Sequence, residues 1–116
     1  MNKQINSIEL LCDFNIIYTI CKDIADNKTT NQVNILLVEE LSELVKPIMK
    51  FERYNTNDKS LRNNNGEIIE NLYEELGDVI IMILQFIYKN RINYNDLIEK
   101  ISAKLVRYYE TISDKK

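Results

Sequence analysis

A chain of 116 residues with a formal charge of −3 is a single domain with room for a modest core, and it has no general attraction for nucleic acid or anionic membranes. Two glycines and one proline are too few for the turns of a strand-rich fold, so the composition predicts an all-α protein. Histidine is absent, which removes the commonest general base, the usual zinc ligand and Glu-x-x-His di-iron chemistry.

The first expected helix runs from about Ser7 to Asp26, with Asn6 or Ser7 as its cap and Ile8, Leu11, Cys12, Ile16, Ile20 and Ile24 as an apolar stripe. Cys12 and Cys21 fall in this one helix, about 13 Å apart along its axis, and cannot bridge each other. No CxxC pattern and no signal sequence is visible, so a reducing cytoplasm is the expected location. The longest nearly unbroken apolar run, Val79 to Tyr88, is too short to span a bilayer.

The second expected helix starts after Thr29-Thr30 and reaches about Arg53, with Val33, Leu37, Leu41, Leu44, Ile48 and Phe51 as its central stripe. At about 100° per residue, Glu40 and Glu43 lie on one flank of that stripe, together with Leu36 and Pro47. Val38, Val45 and Met49 extend the apolar surface on the opposite flank, a width that points to self-association. Pro47 frees the Glu43 carbonyl from its helical donor and is expected to kink the helix or end it early.

The Asn-rich stretch from Asn55 to Gly66 is expected to be a connecting loop whose Lys59 and Arg62 would suit a basic lid. The third expected helix runs from about Glu67 to Lys89, with Glu75 and Asp78 on one flank beside Met82. From Val79 to Tyr88 apolar residues face nearly every direction, the pattern of a helix buried on all sides. Gly77, between the two acids, fits either close approach of a ligand or tight helix packing. The fourth helix opens at Asn93, with Asp96 three residues on; its stripe is Tyr94, Leu97, Ile98, Ile101, Leu105, Tyr108 and Ile112, with Lys100, Lys104 and Arg107 on one flank. The whole is expected to be an antiparallel bundle of about four helices, one domain over residues 1–116.

Two pairs of acids carry the chemistry. Glu40 with Glu43, and Glu75 with Asp78, are each three residues apart and therefore share a helix face. Four converging carboxylates repel one another unless a cation lies between them. All-oxygen ligands with no histidine or cysteine nearby suit a hard cation, Mg²⁺ before Mn²⁺ or Ca²⁺, and carboxylate-held Mg²⁺ typically works on phosphates. The competing reading is a purely structural cluster, in which the acids pair with Lys104 and Arg107 and the chain is a non-enzymatic helical oligomer acting as a regulatory or interaction module. Three basic residues on an acidic chain make too small a patch for nucleic-acid binding.

The wording Glu-Glu-Leu-Ser-Glu-Leu at 39–44 and Glu-Glu-Leu-Gly-Asp-Val at 74–79, followed by the long apolar run, resembles the MazG-like all-α nucleoside triphosphate pyrophosphohydrolases over roughly Leu36 to Tyr109. The segment Lys104-Leu105-Val106-Arg107-Tyr108 is similar to the basic segment that follows in that family. The resemblance implies Mg²⁺-dependent cleavage of a nucleoside triphosphate, canonical or deoxy or modified, to the monophosphate and pyrophosphate. It implies that Glu40, Glu43, Glu75 and Asp78 hold the metal and carry catalysis, with Mn²⁺ as a substitute, and that Lys104 and Arg107 bind phosphate. It further implies a homodimer or a dimer of dimers.

Overall fold

The structure is a computed structural model that describes residues 13–55 and 65–114. All the regular structure among them is helical: α1 Phe14–Ala25, α2 Thr30–Asn55, α3 Asn65–Lys89 and α4 Tyr94–Asp114, with no strand. None of these helices is long and apolar enough to cross a membrane.

The start of α1 corrects the expected one at Ser7. Asp13 has extended backbone angles, φ −135° and ψ 100°, and its carboxylate accepts from the amides of Asn15 at 2.9 Å and Ile16 at 3.4 Å. A short acidic side chain that satisfies the first free N–H groups ends the helix pattern on its N-terminal side, and this cap overrides the apolar spacing that runs on through it. Ile8, Leu11 and Cys12, with the expected caps Asn6 and Ser7, lie outside the described residues. Cys21 is buried with a free thiol, which burial pushes above its ordinary pKa.

The start of α2 is fixed by a reciprocal capping box. The Gln32 amide donates to Thr29 Oγ1 at 3.1 Å, and the Thr29 amide donates to Gln32 Oε1 at 2.8 Å. The helix then runs through Pro47 to Asn55, so the proline does not end it. Because α2 and α3 reach Asn55 and begin at Asn65, both consume part of the expected loop; Lys59 and Arg62 lie outside the described residues.

α2 and α3 are antiparallel neighbours. Asn34 near the start of α2 exchanges side-chain hydrogen bonds with Asn90 just past the end of α3, Nδ2 of Asn90 donating to Asn34 Oδ1 at 2.7 Å and the reverse at 3.4 Å. Farther along, Lys50 lines the same groove as Ile68. α1 packs on the C-terminal half of α3, where Cys21, Leu84 and Ile87 form a buried cluster against Ile17, Tyr18, Tyr94 and Leu97. Gln85, only 1% exposed, sits in this otherwise apolar layer and accepts from Lys28 Nζ at 3.0 Å.

The expectation that Val79 to Tyr88 is buried on all sides is corrected. Val79, Met82, Leu84, Gln85 and Ile87 are buried, whereas Ile80, Ile81 and Ile83 are exposed. The reason is that, among the described residues, α3 is packed mainly on the sides taken by α1 and α2, with the start of α4 at Tyr94 and Leu97. α4 does not close the remaining side: it opens as expected, with the Asp96 amide on Asn93 Oδ1 at 3.0 Å, but only Tyr94 and Leu97 are less than exposed. Its stripe from Ile98 to Ile112 faces outward. The radius of gyration, 17.9 Å, exceeds the value of about 13 Å expected for a compact chain of this length.

Candidate metal centre

The antiparallel register of α2 and α3 brings the two acidic pairs to the same level of the helix pair. Carboxylate oxygens of Glu40, Glu43 and Glu75, one from each, all lie within 4.8 Å of one another. Asp78 is outside that tight set, yet its negative charge is felt by both Glu40 and Glu75. Glu40 and Glu75 are half-buried, and Glu43 and Asp78 are exposed. The structure therefore brings three of the four sequence-derived acids together and leaves Asp78 outside the group. Glu39 and Glu74, which the helical wheel turns away, are exposed.

The electrostatics of the cluster are unfavourable as it stands. Burial raises the Glu40 carboxyl above its ordinary value, and the charges of Glu43, Asp78 and Glu75, together with a side-chain hydrogen bond to Glu43, raise it further. Glu75 is raised in the same way, by burial first and then by Glu43, Asp78 and Glu74. Glu40 Oε2 and Glu75 Oε2 are shielded from solvent and have no hydrogen-bond partner. A buried carboxylate oxygen without a partner is costly, and a structural ion-pair cluster would have supplied one.

A hard cation fits this arrangement. Two oxygens on opposite sides of Mg²⁺ are about 4.1 Å apart and on Ca²⁺ about 5 Å apart, so a spread of 4.8 Å closes onto either with small side-chain movements. The donors are all carboxylate oxygens, the set that suits Mg²⁺, Mn²⁺ and Ca²⁺ over softer ions.

Lys104 and Arg107 are placed differently. Both are exposed on the outward part of α4, and neither lines the groove beside the acids. That groove, about 490 Å³, opens at Glu43 and Glu75 and is lined by Ser42, Lys46, Pro47 and Lys50 of α2 with Ile68 and Asn71 of α3. Sequence reasoning missed Lys46 and Lys50. The signal was available: Lys50 is seven residues from Glu43, two turns along the same line of the helix. Among the described residues Gly77 is not explained by packing, since a Cβ there would meet nothing within 4 Å.

Paired acids from two antiparallel helices, three of them with oxygens within 4.8 Å of one another, make a candidate divalent-cation site in an all-helical domain. The family follows from the sequence: the model of the MazG nucleotide pyrophosphohydrolase domain matches residues 28–112, and the chain belongs to that family. The matched stretch begins just before α2 and runs into the last turn of α4, so it contains both acidic pairs. No curated protein and no solved structure matches the chain. Family membership implies a hydrolase acting on nucleotides.

Proposed function

We propose that the chain hydrolyses a nucleoside triphosphate between its α and β phosphates, giving the monophosphate and pyrophosphate, and that Glu40, Glu43, Glu75 and Asp78 hold Mg²⁺, or Mn²⁺ in its place. The observation that supports this most is the pair of shielded, partnerless oxygens, Glu40 Oε2 and Glu75 Oε2, in a cluster of three carboxylates with oxygens within 4.8 Å of one another. Such a cluster costs stability unless a cation is bound, and it is kept at the mouth of a groove large enough for a polar ligand.

In this reading the divalent ion supplies charge neutralisation at the phosphates and a bound water of lowered pKa. Glu40 and Glu75 bind from the shielded side, where the two helices hold their oxygens in place. Glu43 and Asp78, both exposed, would complete the ligand set on the side that solvent and substrate reach.

The working assembly in this proposal is a homodimer or a dimer of dimers. Tyr73, Leu76, Ile80 and Ile83 make an exposed stripe on α3, and Ile98, Ile101, Leu105, Tyr108 and Ile112 make another on α4. Stripes of this length are larger than a monomer ordinarily leaves in water. Lys104 and Arg107, which flank the α4 stripe, bind phosphate once a second copy covers it.

The test is a panel of ordinary, deoxy and modified nucleoside triphosphates assayed for pyrophosphate with Mg²⁺, with Mn²⁺ and with chelator. Metal-dependent pyrophosphate release from at least one member, lost in Glu43→Gln and Asp78→Asn, is the expected result. No release from any member, with the protein folded and metal present, would sink the proposal.

A further inference from the structure

The groove that runs from the acids along α2 has its own chemistry. Ser42, Lys46 and Lys50 recur every four residues, so they stand on one side of α2, about 6 Å apart along its axis per step. Asn71 faces them from α3, four residues before Glu75. Pro47 lies between the two lysines and lines the same wall. One end of this cavity is therefore anionic and the other cationic, within about 490 Å³.

An ordinary account exists for each lysine alone. Lys46 is three residues from Glu43, and such a helical pair contributes a few tenths of a kcal/mol in general. That account does not cover Lys50, which is half-buried in the groove wall, nor why the cavity continues past Glu43 at all. Toward the other end of the helix pair the cavity's lining does not extend: it includes no residue of α2 before Ser42 and none of α3 after Glu75. A polyanion anchored at the acids through a divalent ion thus finds beside it a groove that passes two ammonium groups and an amide.

We propose that Lys46 and Lys50, with Asn71 as a hydrogen-bond donor, form the subsite that binds the β and γ phosphates of the substrate and then the pyrophosphate product. This rests on the metal-dependent pyrophosphohydrolase reading, and it adds a second set of phosphate ligands, built into the same chain as the acids and separate from Lys104 and Arg107. The ammonium groups offset the charge of the outer phosphates as the α–β bond breaks, so they stabilise the leaving group as well as the bound substrate.

The experiment compares wild type, Lys46→Gln, Lys50→Gln, the double variant, Lys46→Arg, and Lys89→Gln as a control outside the groove. Thermal melts with Mg²⁺ alone come first. Titrations of Mg²⁺-pyrophosphate and of inorganic phosphate follow, read by calorimetry. The expected result is equal stabilisation of all variants by Mg²⁺ alone, with pyrophosphate affinity reduced roughly tenfold or more in each Gln variant and further in the double variant. Lys46→Arg and Lys89→Gln keep near-normal affinity, and wild type prefers pyrophosphate to phosphate. Unchanged pyrophosphate affinity in the double variant overturns the subsite, and so does equal binding of phosphate and pyrophosphate by wild type. Failure of Mg²⁺ to stabilise wild type strikes the underlying functional reading instead, and removes the subsite with it.

Discussion

Glu40 on α2 and Glu75 on α3 turn toward each other across two antiparallel helices, and each holds one oxygen in shielded space with no hydrogen-bond partner. With Glu43 beside them, the carboxylate oxygens crowd within 4.8 Å. This relationship places repulsion in the folded state, which a divalent ion bound as proposed would remove.

The first prediction concerns pH. Glu40 and Glu75 both titrate above their ordinary value of 4.5, because burial and the neighbouring acids disfavour the charged form. The folded chain therefore keeps protons that the unfolded chain has already released. The stability this contributes is fully present below about pH 4.5 and is lost as pH rises through the raised folded values. Melts of metal-free protein from pH 4.5 upward should show this loss, and saturating Mg²⁺ or Mn²⁺ should reverse it at neutral pH while doing little at acid pH, where the ligands are protonated. A metal effect that is the same at both ends of the range would count against the site.

Neutralising one acid should separate folding from function. Glu75→Gln removes one charge from the crowded set, so the metal-free protein should melt at a higher temperature than wild type. The same variant loses a ligand, so stabilisation by Mg²⁺ should shrink and pyrophosphate release should fall by roughly a hundredfold or more, the scale of losing one preorganised electrostatic contact. A structural ion-pair cluster predicts the reverse sign in the metal-free melt. Melting wild type and Glu75→Gln side by side in chelator decides between them.

The four acids were legible in the sequence because helical spacing fixes which residues share a face, and both pairs fall beside an apolar stripe. Helix boundaries were legible where a cap is local: Thr29 with Gln32, and Asn93 with Asp96, are fixed within four residues. The break at Asp13 was not, since Asp13 lies inside an apolar spacing that continues on both sides and only its carboxylate contacts reveal the cap. Periodicity also shows that Ile80 and Ile83 are apolar without showing what covers them. All-round hydrophobicity on α3 records an unpartnered face as readily as a buried one. Lys46 and Lys50 escaped for a related reason, because a helical lysine near an acid has an ordinary surface role until the cavity around it is seen.

Gln85 gives a prediction about the fold itself. It is 1% exposed, and Lys28 reaches its Oε1 at 3.0 Å from the turn before α2. Lys28→Met keeps the length of the side chain and removes the donor, leaving a buried acceptor unsatisfied. The cost should be about 1–3 kcal/mol of stability, measured by urea unfolding. The double change Lys28→Met with Gln85→Leu removes both partners and should recover much of that loss. If the single variant is as stable as wild type, the hydrogen bond contributes little and the turn is held by its backbone bonds alone.

The outward stripe of α4 gives the last prediction. Leu105 is 60% exposed in the single chain. Leu105→Glu should therefore leave the folding of one copy almost unchanged, within about 0.5 kcal/mol, as at other exposed positions. In an assembly that covers the stripe, the same carboxylate is desolvated among apolar groups and should drive the copies apart. Sedimentation velocity should show wild type at twice or four times the chain mass of 13.7 kDa and Leu105→Glu at a smaller multiple. Ala103→Glu, on the same helix but on the face away from the stripe, should sediment like wild type. A Leu105→Glu protein that keeps the wild-type mass would place the interface elsewhere and leave the α4 stripe without a partner.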